Sequence, residues 1–203
     1  MMTIYMIGGS PCSGKSTTAE ALSAKYGLHY FKVDDHLGPY MQAGARDGRK
    51  SCLHVEQMTP DQIWMRDPQV QCEEELSIYE EIFSYIMTDL TQIDSDRDIL
   101  AEGAALLPCL AKRLHIPADR YLSITPTKAF QVDHYSQREW VPHVLADCSD
   151  KAKAFDNWME RDALFAVAVR QQCAEVGYTS LINDGSMPVE QLISLTAAHF
   201  GLG

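Results

Sequence analysis

Two rhythms of apolar and polar positions run along this chain. Short apolar, β-prone runs recur at residues 3–7, 29–33, 98–101, 120–124 and 179–182, and the stretches between them carry apolar residues at helical spacing. Five strands alternating with helices predict an α/β fold with a parallel sheet and right-handed crossovers, in which ligands bind at the carboxyl ends of the strands. The longest helical pattern, 68–93, sets Leu76, Tyr79, Ile82, Phe83, Ile86 and Leu90 on one stripe. Glu73, Glu74, Glu80 and Glu81 fall mostly outside it, so the acid run reads as a solvated face. Thr59, Pro60 and Gln62 supply an N-cap, a first-turn proline and a capping-box partner, which predicts a short helix there. Residues 38–51, with glycine at both 38 and 48 and little periodicity, read as a loop or mobile segment.

Length and charge narrow the functional classes. At 203 residues and 46% hydrophobic, residues 1–203 suit a single domain with a full core. The formal net charge of -11 opposes an extended phosphate backbone as partner, so nucleic acid is not expected, whereas a small nucleotide in a locally basic cleft is. No apolar run approaches membrane-spanning length, and the chain starts directly on its first apolar run without a basic leader. Cys12, Cys52, Cys72, Cys109, Cys148 and Cys173 are scattered without a C-x-x-C pair, which fits reduced thiols and a cytoplasmic location.

The most specific chemistry lies in MIGGSPCSGKSTTAEAL, residues 6–22, where Gly9, Gly14, Lys15 and Ser16 have the spacing G-x-x-x-x-G-K-[ST]. An apolar strand precedes the loop and a helical pattern follows it, as a phosphate cradle requires. Gly9 and Gly14 allow a tight turn that aims backbone N–H groups at one point, and the helix dipole adds to the attraction for an anion. The loop from Gly9 to Thr17, with Ser10, Cys12 and Ser13 between its glycines, is therefore expected to bind nucleotide phosphates. Lys15 is placed to reach the β- and γ-phosphates and Ser16 to ligate Mg²⁺. Cys12 is either an oxidisable thiol, lowered in pKa by the loop N–H groups, or a small filler.

Carboxylates stand near the same edge. The second strand run ends in Asp34 and Asp35; on a strand they face opposite ways, one toward Mg²⁺ and one toward a substrate hydroxyl. The assignment adopted is Asp34 to the metal and Asp35 to the acceptor, with a turn or helix cap as the alternative. Glu102 ends the third strand run and is either a metal-water acid or a charge partner for a helix N-terminus.

This order of features resembles the P-loop small-molecule and nucleoside monophosphate kinases, the group containing adenylate, shikimate and gluconate kinases and chloramphenicol phosphotransferase. The resemblance covers nearly the whole chain, though only GSPCSGKS is highly specific. It implies a three-layer αβα sandwich with a five-stranded parallel sheet in the order 2-3-1-4-5, an acceptor-binding region at about 36–67 and a helical lid at about 134–160. It also implies ATP and Mg²⁺ as cofactors, with Asp35 at the acceptor hydroxyl. By the same resemblance Arg138 is a phosphate-binding lid arginine, Gly185 lies near the adenine, and Arg161 or Arg170 stabilises the transferring phosphoryl group. Nine residues along a straight helix leave the last two half a turn out of phase, so only one faces the site; Arg161, nearer the lid, is preferred. Asp133 stands where many nucleotide kinases carry an arginine, and residues 38–66 match no subfamily. Arg46, Arg49, Lys50 and Arg66 make that region basic, which points to an anionic acceptor gripped by Arg49 and Arg66 or to solvated loop charges. The implied activity is phosphoryl transfer to the hydroxyl of a small metabolite, anionic if the basic region grips it. A nucleoside monophosphate kinase and a nucleotide-binding regulatory module are the rival readings.

Overall fold

The strands expected from the apolar runs all form. In a computed structural model that describes residues 2–203, β1 (Ile4–Gly9), β2 (His29–Lys32), β3 (Ile99–Glu102), β4 (Tyr121–Pro126) and β5 (Thr179–Asn183) make one parallel sheet in the order β2-β3-β1-β4-β5. Period-two alternation sorts the core into two layers. Met6, Ile99, Ala101 and Tyr121 join the cluster containing Ile82 of α5 (Pro68–Gln92) and Phe165 of α9 (Lys151–Val176). Ile7, Leu100, Leu122 and Ile124 pack on the other side against Leu22 of α1 (Lys15–Tyr26) and Leu192 of α10 (Val189–His199). Helices on both faces of a parallel sheet give the three-layer sandwich. The register pairs Ile7 with Glu102, Lys32 with Glu102 and Gly9 with Ile124, so the carboxyl ends of β1, β2 and β3 finish at one edge.

Three local expectations fail, each for a physical reason. Residues 38–51 are not a loop: α2 (Leu37–Arg46) and the start of α3 (Lys50–Glu56) occupy them, separated by a short turn. Gly44 serves close packing there, since a Cβ on it would lie 2.7 Å from Cys52 Sγ. Tyr40 is buried and donates to Asp89 at 2.6 Å, which ties α2 to α5. Secondly, the second strand stops at Lys32 and continues as a 3₁₀ turn, Val33–His36, so Asp34 and Asp35 do not alternate as strand residues. Thirdly, the acid run of α5 is only partly solvated. Glu81 accepts the N–H groups of Ser51 (2.9 Å) and Cys52 (3.0 Å) at the start of α3, and Glu74 and Glu75 turn inward.

The short helix at Thr59 forms as the sequence indicates. It is α4 (Pro60–Trp64), with a reciprocal capping box between Thr59 and Gln62. Between β3 and β4 lies α6 (Pro108–Arg113). After β4 come α7 (Lys128–Ser136) and α8 (Val141–Val144). Tyr135, Val141, Leu145, Trp158 and Met159 form a separate small core, against which Trp64 of α4 packs. Asp61 accepts the Ser149 N–H at 2.8 Å, joining α4 to the segment before α9.

Candidate active site

A loop of unusual backbone conformation joins β1 to α1. Gly9 (φ 126°), Cys12 (φ 57°) and Gly14 (φ 89°) all lie on the positive side of φ. At Gly9 the requirement is steric as well, because a Cβ would fall 1.9 Å from the Ile124 carbonyl oxygen. Gly14 stands at the N-cap of α1 without a side chain to cap it, leaving the first helical N–H groups directed into the loop. Ser10 and Ser13 are buried, and neither hydroxyl finds a partner among the described residues. A concave run of N–H groups with polar side chains at its base is an anion cradle.

Lys15 lies across that cradle. Only 4% exposed, its ammonium donates to the Ser10 carbonyl at 2.8 Å and stands 3.8 Å from Glu102. Glu102 is fully buried, and burial pushes its carboxyl above the usual range, against the opposing pull of Lys15 and of the hydroxyls of Tyr30 and Ser16. Tyr30 donates to Glu102 Oε2 at 3.0 Å, while Oε1 makes no hydrogen bond among the described residues. A buried carboxylate oxygen beside Ser16 and behind a lysine suits Mg²⁺, which takes one or two protein ligands and completes its shell with water and phosphate. Ser16 and Glu102 are the residues that would hold it. No cluster of three or more His, Cys, Asp or Glu among the described residues forms an all-protein metal cage.

The two aspartates occupy different environments. Asp34 Oδ1 accepts the Ala104 N–H at 3.1 Å, and Gly103 makes room for it, since a Cβ there would come within 2.8 Å of that oxygen. Its charge is felt by Glu102 on one side and by Glu75 and Tyr79 on the other. Asp35, expected at the acceptor, instead points outward: its side chain is 65% exposed and pairs with Lys32 at 3.4 Å. The 3₁₀ turn is the cause, because it swings the second aspartate away from the edge that a continuing strand would have kept.

Beyond Asp34 lies a cavity of about 350 Å³ lined by Trp64, Arg66, Gln71, Glu75, Tyr79 and Arg161, with Leu37, Met41 and Ile78 among its apolar walls. Arg161 packs over the Trp64 ring at 5.3 Å. It pairs with Asp162 at 2.6 Å and Glu75 at 3.2 Å, which keeps its charge on despite burial. Arg66 pairs with Glu74 at 2.6 Å. Arg170, as its phase requires, faces elsewhere and donates to Thr125 at 3.1 Å. Arg49, expected to grip the acceptor, is exposed at the N-cap of α3 and does not line the cavity.

A second cavity of about 320 Å³ opens on the other side of the phosphate loop. Cys12, Gly14, Thr17, Arg138, Asn183 and Gly185 line it together with the stacked rings of Phe130 and His134. Asn183 donates to the Ser13 carbonyl at 3.1 Å and so fastens the end of β5 to the loop. Arg138 rests against the rings of Tyr135 and Trp140 at 5.6 and 5.7 Å. Burial pushes the Cys12 thiol up, outweighing the charges of Arg138 and Lys15. Of the two readings of Cys12, this favours the small filler over a thiol lowered by the loop N–H groups.

Several of these residues escaped the sequence reading. Glu75 sits three residues after Cys72 and four before Tyr79, on the buried stripe of α5; that spacing was the available signal. Asp162 stands likewise between Trp158 and Phe165 on α9. Tyr30, Trp64 and Asn183 carry no local signal, because only the tertiary fold brings them to the loop.

No family model matches the chain. Two chloroplast adenylate kinases are similar to it over 60 residues. "Probable adenylate kinase 2, chloroplastic" of Oryza sativa subsp. japonica is 38% identical across 29% of this chain and 21% of its own length. "Adenylate kinase, chloroplastic" of Zea mays is 37% identical across 29% of this chain and 27% of its own. The match thus spans about a quarter of those relatives. The crystal structure of TT1252 from Thermus thermophilus aligns over 100% of this chain and 98% of its own, at 15% identity and a TM-score of 0.49. Sheet order 2-3-1-4-5, a glycine-lysine phosphate loop after β1 and partial homology to adenylate kinases give the chain a P-loop nucleoside monophosphate kinase-like fold.

Proposed function

We propose that the chain is an ATP- and Mg²⁺-dependent phosphotransferase acting on the hydroxyl of a small metabolite. One observation carries the reading: Asp34, anchored by the Ala104 N–H, is close enough for its charge to act both on Glu102 behind the cradle and on Glu75 in the wall of the cavity that holds Arg161. Phosphoryl transfer needs that juxtaposition of donor, acceptor and carboxylate, since catalysis rests on positioning and charge neutralisation. In this reading the loop N–H groups and Lys15 hold the β- and γ-phosphates, and Asp34, not Asp35, accepts a hydrogen bond from the acceptor hydroxyl. Mg²⁺ held by Ser16 and Glu102 would neutralise charge on the phosphates, which leaves Asp34 to the acceptor. The cavity beside Gly185 receives the nucleoside, with Arg138 approaching the phosphates from the lid, residues 134–160.

The partial likeness to adenylate kinases supports nucleotide use and keeps a nucleoside monophosphate as one acceptor to test. The experiment is an ATP-consumption screen over hydroxylated metabolites and nucleoside monophosphates, with Lys15→Ala as blank. Acceptor-dependent ADP release above the blank supports the enzyme. Bound ATP with no acceptor stimulation moves the assignment to a nucleotide-binding regulatory module.

A further inference from the structure

The basic residues between 46 and 66 leave open whether the cavity near Asp34 grips an anion. Its built charge pattern argues that it does not. Both guanidiniums that line it are already neutralised, Arg66 by Glu74 and Arg161 by Glu75 and Asp162. The two arginines are thus held by three carboxyl groups, Glu74 being shared with His54, and Asp34 lies close enough to act on Glu75, whose carboxyl burial pushes up. The unsatisfied atoms point the same way. Gln71 is only 4% exposed and its amide N–H₂ donates to the carbonyls of Trp64 (3.3 Å) and Arg66 (2.9 Å), which aims its Oε1 without a partner among the described residues. Glu75 Oε1 accepts from Tyr79 at 2.8 Å, while Oε2 makes no hydrogen bond despite its ion pair with Arg161. Gln71 Oε1 thus stands open on the wall and Glu75 Oε2 has only its ion pair with Arg161, while Arg66 Nε is the one donor of the described lining residues that is buried without a partner. Such atoms call for a ligand that brings donors.

We infer that this cavity selects a neutral or cationic hydroxylated acceptor, an amino alcohol, amino sugar or uncharged polyol, whose O–H or N–H groups donate to Gln71 and Glu75, and that it rejects phosphorylated or carboxylated acceptors. The inference rests on the phosphotransferase reading and specifies its substrate class. An anionic group entering the cavity meets no unpaired cation among its described lining residues, and it faces the carboxyl groups of Glu75 and Asp34. The apolar wall of Trp64, Leu37 and Ile78 takes the carbon face of the same ligand.

The test is γ-phosphate transfer from ATP to matched sets in which one skeleton appears with different charge: serinol, glycerol and glycerate; glucosamine, glucose and glucose 6-phosphate; adenosine and AMP. The expected result is a kcat/KM at least about 10²-fold higher for the amine or neutral member than for the anion of the best-used skeleton. Preference for the anionic member overturns the inference and leaves the phosphotransferase reading standing. No transfer to any member, with ATP binding intact by calorimetry, overturns both. Glu75→Gln sharpens the result: the KM of the best acceptor should rise about tenfold with the KM for ATP unchanged. An unchanged acceptor KM in a folded Glu75→Gln protein also counts against it. The matched sets decide the question should that variant not fold.

Discussion

The two cavities flanking the phosphate loop are built on opposite principles. The one beside Gly185 and Asn183 adjoins a cradle of backbone N–H groups, whose geometry three positive-φ residues fix. The one beside Arg161 is made of side chains from α2, α3, α4, α5 and α9, and its arginines are paired before any ligand arrives. Backbone binding leaves a sequence motif, because glycine is needed where φ is positive and a Cβ would collide. Side-chain binding leaves only residues scattered through the chain. A chain can therefore announce its phosphate donor while concealing its acceptor.

The largest effect expected on the backbone-built side comes from Lys15→Ala. Lys15 is the cation that donates into the cradle, so turnover should fall by about 10³-fold or more, measured as acceptor-dependent ADP release. Turnover near wild type would erase the contrast between the two sides. Next comes the aspartate pair. Asp34→Asn should lower kcat by about 10²-fold or more with ATP affinity nearly unchanged, whereas Asp35→Asn should stay within about twofold of wild type. Steady-state kinetics varying ATP and acceptor independently separates the two, and equal losses would return Asp35 to the site.

A smaller effect concerns pH and stability. Burial holds the Glu102 carboxyl above its ordinary 4.5, so the folded protein keeps a proton that the unfolded chain has lost. Protonated native and ionised unfolded forms mean that this group removes stability as pH rises from about 4.5 to its raised folded value. Glu102→Gln lacks that loss. Urea unfolding at pH 4 and pH 7 should therefore show wild type falling relative to Glu102→Gln as pH rises. A gain of wild type on the variant would mean that Lys15 and the two hydroxyls outweigh desolvation. The smallest effect is that of Arg49→Ala. Exposed and outside the cavity, it should change the acceptor KM by no more than about twofold and stability by about 0.5 kcal/mol or less.

Much of the fold was legible because the strands are continuous apolar runs and α5 carries a clean buried stripe. What the pattern hid was fixed by contacts remote in sequence. Residues 38–51 looked loop-like from their glycines, yet Gly44 is there to let α2 and α3 approach. Asp34 and Asp35 looked like strand neighbours, and only the 3₁₀ turn after Lys32 decides which of them faces the site. The arginines of the acceptor side were visible as charges. Their carboxylate partners were not, because Glu75 and Asp162 take buried positions that composition assigns to apolar residues.

The most direct test of the central claim follows the γ-phosphate itself. The protein is incubated with ATP carrying an isotopic label in that group, Mg²⁺ and the matched acceptor sets, and the products are read by mass spectrometry. The account predicts label on a hydroxyl of a neutral or cationic acceptor, with one ADP per product formed and none of either in Lys15→Ala. Label that stays on ATP, or appears only in inorganic phosphate, would contradict it.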